Sequence, residues 1–466
     1  MIEELYERYL LSHVVTTDSR QVTPGCIFFA LKGENFDGNA FVPQALEQGA
    51  AACVVSDPQY RSDSRCYVVP DVLKTLQELA HYHRCHLSIP FVGITGTNGK
   101  TTTKELVHAV LSKKYRTHAT QGNFNNHLGV PLTILSMPAD TEVAIIEMGA
   151  NHPGEIDFLC HIAEPTCGLI TNVGKAHLEG FGSFDGVVRT KTELYRRLAA
   201  GSESHPDSPC TIFVNADNGI LMDEAAKVCS IPEIPSLCPA YIPNTNSPDW
   251  AQRPHVGVLT YGSAADAEVK GSYVGCNPYM KFYFEEGDNV YSVQTQLLGG
   301  YNFDNAMAAV CVGRYFGVAL FDIKEAIEQY EPANKRSQYK QTEHNVLFLD
   351  CYNANPSSMK AAIDNFAALQ KENKMVFLGS MKELGDDSAR EHSAIVKQLI
   401  EAGFAKVVLV GDEFREAIPS PGADVIEWYA TSQAACDHLI RYPVSGATIL
   451  LKGSNATKMW LLEEVL

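Results

Sequence analysis

Charge is scarce in this chain: only 20% of its 466 residues are Asp, Glu, Lys or Arg, while 45% are hydrophobic. That balance argues against disorder and predicts about three well-packed globular domains. Positive charge is scarcer still. Thirty-seven Lys and Arg face 55 Asp and Glu, a formal net charge of −18, and an acidic surface repels phosphate backbones, which argues against nucleic acid as a partner. A site for a smaller phosphate ligand must therefore be locally basic. No stretch is apolar for long enough to span a bilayer, and no apolar signal segment opens the sequence. The 13 cysteines include no CxxC pair; odd in number and scattered, they read as reduced thiols of a cytoplasmic protein. No short-period repeat is present.

Against that background one stretch stands out, Gly93-Ile94-Thr95-Gly96-Thr97-Asn98-Gly99-Lys100-Thr101-Thr102-Thr103. The apolar run Ile89–Ile94 reads as a buried strand and Thr102–Lys114 has helical periodicity, so backbone N–H groups and the positive helix end converge on an anion. Lys100 would meet the β- and γ-phosphates of a nucleotide and Thr101 a magnesium ion, with Gly96, Thr97, Asn98, Gly99 and Thr102 completing the cradle. The strict phosphate-loop pattern asks for glycine five places before Gly99, where Ile94 stands, so only its GK[ST] half is matched. The cluster His81-Tyr82-His83-Arg84-Cys85-His86 closes the helical pattern that begins at Val72, where basic residues suit the negative helix end. No second ligand group at finger-like spacing supports zinc there.

The expected fold class is α/β in three domains. Short strands (Cys26–Leu31, Ala52–Val55, Cys66–Val69) alternate with helical stretches (Phe41–Gln48, Val72–His83) in a small first domain, residues 1–88. The phosphate loop opens a central domain with a mainly parallel sheet, residues 89–316, through Val143–Glu147, Gly168–Thr171 and a helix Asn302–Phe316. Pro- and Ser-rich stretches at 201–209 and 231–254 read as surface insertions. Past the connection Glu331–Ser337, strands Val346–Asp350, Met375–Leu378, Val407–Val410 and Thr448–Leu451 separated by helices make residues 317–466 a doubly wound, Rossmann-like unit.

Three further segments offer chemistry. Gly122-Asn123-Phe124-Asn125-Asn126-His127-Leu128-Gly129-Val130-Pro131 is dense in side-chain amides and reads as a recognition loop or as an Asx-rich turn that stabilises itself. Glu147 ends an apolar strand, where open α/β sheets bind ligands; it is a candidate magnesium ligand, or a helix cap, or simply solvated. Asn172, His177 and Glu179 follow another strand, with His177 either a metal ligand or a structural histidine. Taken alone, Lys191 reads as a surface charge beside a helical Glu193/Arg197 pair spaced i,i+4.

Together these segments resemble the Mur ligase family of peptidoglycan synthesis, ATP-dependent enzymes that form amide bonds. The likeness runs over nearly the whole chain. GxxGTNGKTT resembles the family's own phosphate loop, and GNFNNHLGVP (122–131), EMGANHPGEI (147–156) and NVGKAHLEGFGS (172–183) are similar to the member that adds D-alanyl-D-alanine to UDP-N-acetylmuramoyl-tripeptide. Thr17-Asp18-Ser19-Arg20 and Phe29–Gly38 are similar to that member's UDP-binding domain.

The resemblance implies ATP and Mg2+ as cofactors, an acyl-phosphate intermediate, UDP-N-acetylmuramoyl-tripeptide and D-alanyl-D-alanine as substrates, and a monomer. It implies catalytic roles for Lys100, Lys191 and His177, and a metal set of Thr101, Glu147, His177 and Lys191, the last carbamylated. Nucleotide contacts fall on Asn302, Asn305, Arg336 and Asp350, which in isolation read as a helix cap, linker charge or turn residue. Substrate contacts fall on Ser19, Arg20, Lys32, Gly33, Asn125, Asn126, Asn353 and Asn355. The chain departs from the family pattern at Asn39, Asn455 and Trp460, where histidine, arginine and glutamate are frequent. Sister ligases and folylpolyglutamate synthase share the loop chemistry, and a non-catalytic UDP-sugar-binding scaffold would share the fold.

Overall fold

Short apolar runs bounded by glycine and polar turns become strands in three separate sheets of the computed structural model, which describes residues 1–201, 210–228, 256–332, 336–419 and 425–466. The expected insertions at 201–209 and 231–254 lie outside the described residues apart from Gly201, as do residues 333–335 of the expected connection.

The first sheet has β1 (Val15–Thr16), β2 (Ile27–Phe29), β3 (Ala52–Val55) and β4 (Cys66–Val68) in that order, all parallel. Helices α1 (Ile2–Ser12), α2 (Val42–Glu47) and α3 (Val72–Cys85) cover it. The side chain of Asp71 caps α3 by accepting from Lys74 N at 2.9 Å, and the helix runs two residues past the expected His83. Sequence reading does not anticipate α1, which starts without a side-chain cap and buries only Leu5 and Tyr9. Its Tyr9 hydroxyl donates to Leu135 O (3.1 Å), and one continuous apolar core joins this unit to the central one.

The central sheet has nine strands among the described residues: β5 (Phe91–Thr95), β6 (Thr117–Ala119), β7 (Val143–Glu147), β8 (Cys167–Ile170), β9 (Cys210–Asn215), β10 (Val256–Gly262), β11 (Val269–Cys276), β12 (Tyr279–Glu286) and β13 (Asn289–Leu298). Their order is β13-β12-β11-β10-β9-β8-β5-β7-β6. The half around β5 is parallel, and β5, β7, β8 and β9 are buried on both faces, which is why they read as largely apolar runs. The last three strands form an antiparallel meander that the sequence pattern does not reveal. Among the described residues nine helices belong to this unit: α4 (Lys100–Leu111), α5 (Gly129–Leu135), α6 (Glu155–Ala163), α7 (Leu178–Phe181), α8 (Phe184–Lys191), α9 (Glu193–Ala200), α10 (Gly219–Val228), α11 (Asn302–Tyr315) and α12 (Leu320–Gln329). α12 packs on α4 and β13. The expected boundary at residue 316 therefore falls inside this helical layer, and we place the passage to the third unit after Gln329.

The third sheet has β14 (Gln338–Gln341), β15 (Val346–Asp350), β16 (Lys374–Gly379), β17 (Lys406–Val410), β18 (Ile426–Tyr429) and β19 (Thr448–Lys452), in the order β14-β15-β19-β16-β17-β18. All pairs are parallel except β14 with β15. Helices α13 (Pro356–Ala368), α14 (Ser388–Ala402), α15 (Asp412–Arg415) and α16 (Ser432–Arg441) lie on its faces, the doubly wound plan expected. No helix among the described residues is long and apolar enough to cross a membrane.

Candidate active site

Between β5 and α4 the chain makes the turn that the phosphate-loop motif requires. Gly99 sits at φ 79° immediately before α4 and Gly96 at φ 141°. A Cβ at Gly96 would stand 2.1 Å from Thr171 Oγ1, and one at Gly99 would stand 2.5 Å from Asn305 Oδ1, so neither position admits a side chain. The helix starts at Lys100, two residues before the sequence expectation, because Gly99 in its left-handed conformation makes the entry. The strand-end segment after β8 fixes the loop. Thr97 N donates to Asn172 O (2.9 Å), Asn98 N to Asn172 Oδ1 (3.0 Å), and Thr171 Oγ1 to Asn98 O (2.6 Å). Lys100 Nζ donates to the carbonyls of Gly96 (2.8 Å) and Thr97 (3.1 Å). Burial lowers the pKa of Lys100, opposed by the Glu147 carboxylate.

Glu147, at the end of β7, is 1% exposed. Its Oε1 accepts from Thr101 Oγ1 (3.2 Å) and Asn125 Nδ2 (2.8 Å), while Oε2 is buried with no hydrogen-bond partner. A buried carboxylate oxygen left unsatisfied beside a hydroxyl is costly, and a hard divalent cation satisfies it, so this donor set fits Mg2+. The Glu147 main chain is held from behind: its N–H donates to Thr120 Oγ1 (3.0 Å), and buried Lys104 donates to Thr120 O (2.6 Å). Asn126 turns inward on its own loop, its Oδ1 accepting from Leu128 N (3.1 Å) and Gly129 N (2.9 Å).

The isolated reading of Lys191 as a surface charge is corrected by the structure. Lys191 is 2% exposed; its Nζ donates to Ala150 O (3.2 Å) and lies 5.3 Å from the Phe181 ring centroid. Burial first, and then the Lys100 charge, push its pKa far below the ordinary lysine value, favouring the neutral amine. Glu193 accepts from Gly154 N and Asp157 N, both at 2.9 Å, and so caps α6, and Arg197 bonds Asp157 (2.6 Å). His177 precedes α7 at φ 50°, its Nδ1 against the Glu383 carboxylate of the third unit. Burial lowers its pKa while Glu383 works against that shift.

The third unit closes over the loop, leaving a cleft of about 620 Å³. Thr97, Asn98, Gly99, Lys100, Thr101 and Thr102 line it together with Asn125, Asn126, Glu147 and His177; Asn302, Asn305, Arg336, Asp350 and Asn353 face them. Asn302 Nδ2 donates to Leu298 O (2.7 Å) and its Oδ1 accepts from Asn305 (2.8 Å), whose own Oδ1 accepts from Thr103 (3.0 Å). Arg336 lies over the Tyr352 ring at 3.6 Å. Asn353 Oδ1 accepts from Ala354 N in its own turn (2.9 Å).

Asn355 does not line the cleft. It caps α13 through Ser358 N (2.9 Å) and donates to Asn98 Oδ1 across the unit boundary (2.7 Å). Ser19, Arg20, Lys32 and Gly33 also lie outside the lining, on loops that follow β1 and β2; Arg20 pairs with Asp18 (2.7 Å) and Lys32 with Asp37 (3.4 Å). Lys175, Glu383 and Glu391 carry no motif signal, yet Lys175 Nζ meets Glu391 at 2.9 Å across the same boundary. Lys452, at the end of β19, is paired to Asp350 at 2.5 Å because the two residues share a register position on neighbouring strands.

Fold and site together define a three-unit α/β protein that encloses a nucleotide-type phosphate loop between its second and third units. The chain belongs to the Mur ligase family. Residues 12–84 match the model described as Mur ligase family, catalytic domain, residues 94–231 the Mur ligase middle domain, and residues 335–455 the Mur ligase, glutamate ligase domain. Among curated relatives, the UDP-N-acetylmuramoyl-tripeptide--D-alanyl-D-alanine ligase of Bacillus subtilis (strain 168) is 36% identical over 82% of this chain and 76% of its own length. The enzyme of that name from Escherichia coli (strain K12) is 33% identical over 96% of this chain and 91% of its own. Of the solved structures, MurF from Acinetobacter baumannii aligns with a TM-score of 0.81 at 30% identity, covering 97% of this chain and 92% of that one. MurF ligase from Thermotoga maritima in complex with ADP aligns with a TM-score of 0.80 at 26% identity, covering 98% and 97%.

Proposed function

We propose that this chain joins D-alanyl-D-alanine to the tripeptide carboxylate of UDP-N-acetylmuramoyl-tripeptide at the expense of ATP, forming the pentapeptide precursor of peptidoglycan. The observation that carries the reading is the unsatisfied Glu147 Oε2 beside Thr101, at the mouth of the phosphate loop and inside the cleft that the third unit closes. A carboxylate is a poor electrophile at neutral pH. Transfer of the γ-phosphoryl group from ATP to it forms an acyl phosphate and ADP; the dipeptide amine then attacks the acyl carbon, forms the C–N bond and expels phosphate.

In this reading Lys100 leaves the Gly96 and Thr97 carbonyls to neutralise charge on the transferring phosphoryl group. Thr101, Glu147, His177 and Lys191 would hold Mg2+, which when bound supplies Lewis-acid charge to the phosphates. Lys191 suits carbamylation: burial disfavours its cationic form, and as the neutral amine Nζ adds to CO2, forms an N–C bond and releases a proton, turning a nitrogen donor into an anionic oxygen donor. Asn125 and Thr120 orient Glu147, and the closed cleft keeps water from the acyl phosphate. Asn302, Asn305, Arg336 and Asp350 are the proposed nucleotide contacts. Ser19, Arg20, Lys32 and Gly33, at the carboxyl ends of the first sheet's strands, are the proposed UDP contacts. None of the eleven described cysteines forms a disulfide, which favours a reducing, cytoplasmic setting.

The test is phosphate release with Mg·ATP and UDP-N-acetylmuramoyl-tripeptide, with D-alanyl-D-alanine, L-lysine, meso-diaminopimelate or L-glutamate in parallel wells. Release that depends on D-alanyl-D-alanine and yields the pentapeptide supports the reading. Turnover with another amine moves the protein to a sister ligase, and silence in every well refutes a ligase. Lys100→Ala is expected to abolish both ADP formation and ligation, and retained ligation in that variant would sink the proposed role of the loop.

A further inference from the structure

The basic end of α3, His81 to His86, meets a second set of donors in the fold. His81 and Cys85 lie one turn apart near the end of α3, which packs against α6 of the central unit. Cys85 Sγ is 3.6 Å from His81 Nε2, and Glu164 Oε1, just past the end of α6, is 3.9 Å from the same nitrogen. The three donor atoms all fall within 4.8 Å of one another. Glu164 is 7% exposed and held in a left-handed conformation at φ 36°. His161, one turn back on α6, stacks on the His81 ring with centroids 4.7 Å apart. His81 Nδ1 is buried without a hydrogen-bond partner, so the ring makes its polar contacts through Nε2.

The nearby cation is already engaged. The Arg84 guanidinium donates to the main-chain oxygens of Ala163 (2.9 Å), Leu87 (2.8 Å) and Glu164 (2.8 Å) and lies 4.1 Å above the Phe91 ring. It also faces the Glu164 carboxylate electrostatically.

We infer that His81 Nε2, Cys85 Sγ and a Glu164 carboxylate oxygen bind a divalent transition metal, zinc by their chemistry, as a clasp between the first and central units. Bond lengths of about 2.0–2.3 Å to N, O and S in a tetrahedral site place neighbouring donors roughly 3.3–3.8 Å apart. The two distances to Nε2 stand at that spacing or a tenth of an ångström beyond it. A soft thiolate and an imidazole select against Mg2+, which prefers oxygen, so the clasp and the catalytic metal do not compete for one ion. Binding exchanges the Cys85 thiol proton for the metal: the S–H proton goes to solvent and an S–metal bond forms. Three protein donors leave a fourth position for water. Finger-like spacing, whose absence counts against zinc in the sequence, is not needed here because the second donor group comes from another unit of the fold, far along the chain.

The test uses the full chain, stripped with a chelator and returned to excess Mg2+, then titrated with Co2+ as a spectroscopic probe and with Zn2+ in competition. One equivalent of Co2+ should bind with a thiolate-to-cobalt charge-transfer band and visible bands of tetrahedral intensity, both erased by Zn2+. Cys85→Ser should lose the charge-transfer band and bind Zn2+ roughly tenfold or more weakly. It should keep ATP turnover in the metal-stripped form, which shows that it folds. His81→Gln should likewise weaken binding, and Zn2+ should raise the melting temperature of the native chain but not of Cys85→Ser. A charge-transfer band that survives in Cys85→Ser, or Co2+ that binds with oxygen-ligand spectra alone, overturns the clasp.

Discussion

Asp304 shows how far a single side chain can stand from its ordinary chemistry without a sequence signal. Its carboxyl is raised from 3.8 to about 6, by burial first and by the neighbouring Asp217, with a hydrogen bond from Asn215 working the other way. That displacement corresponds to about 3 kcal/mol in favour of the neutral form. Between these two values the native state binds more protons than the unfolded state, so this contribution to stability falls as pH rises from about 4 to 6 and stays lost above. Asp304→Asn is therefore expected to raise the melting temperature at pH 8 and leave it nearly unchanged at pH 3.5, compared with the native chain by calorimetry. Lys191 is a second case. Its helical spacing with acidic and basic neighbours read as a solvated face, and only the motif resemblance pointed inward, because burial is a property of the packed fold. Lys191→Ala should lower ligation about a hundredfold or more, with partial rescue by added short carboxylates; absence of any rescue would count against the carbamate.

Elements were legible where their pattern was strong. Strands buried on both faces, β5, β7, β15 and β19, appear in the sequence as unbroken apolar runs, and their expected positions hold within a residue or two. The meander β11–β13 was not legible. Its strands mix exposed and buried positions and its register shifts twice, so neither strict alternation nor a continuous run marks it. Capping partners are equally hidden when they come from a distance: Glu193 serves α6 although 39 residues separate it from Gly154. Glu193→Ala should cost about 1 kcal/mol in urea unfolding, the scale of a lost N-cap. Arg197→Ala, which leaves those two backbone N–H groups paired, should cost less, and the reverse order would refute the capping role.

At the scale of the whole molecule the cleft is made by contacts between units that no local pattern encodes. The motifs named the residues of the phosphate loop, but not that Asn98 would meet Asn355 or Lys175 would meet Glu391, pairs separated by 257 and 216 residues. The Glu391 side chain is 9% exposed and also accepts from Arg390 (3.1 Å), so this ion pair is shielded from solvent on one side. Lys175→Met and Glu391→Gln are each expected to raise the radius of gyration in solution scattering and to raise KM for ATP more than they lower kcat. Unchanged scattering in both would argue against their holding the units together. The third sheet carries one more consequence. Its strand β19 lies between β15 and β16, which precede it in the chain but do not touch each other. While the ribosome is still making residues 380–447, β15 and β16 each wait with an open edge, the interval in which this unit is most prone to stick to other chains. When β19 arrives it fills that gap and brings Lys452 to Asp350 in the cleft wall. The wall of the cleft is thus completed only once β19 has been made, and a chain caught before that point has no finished chamber in which to spend ATP.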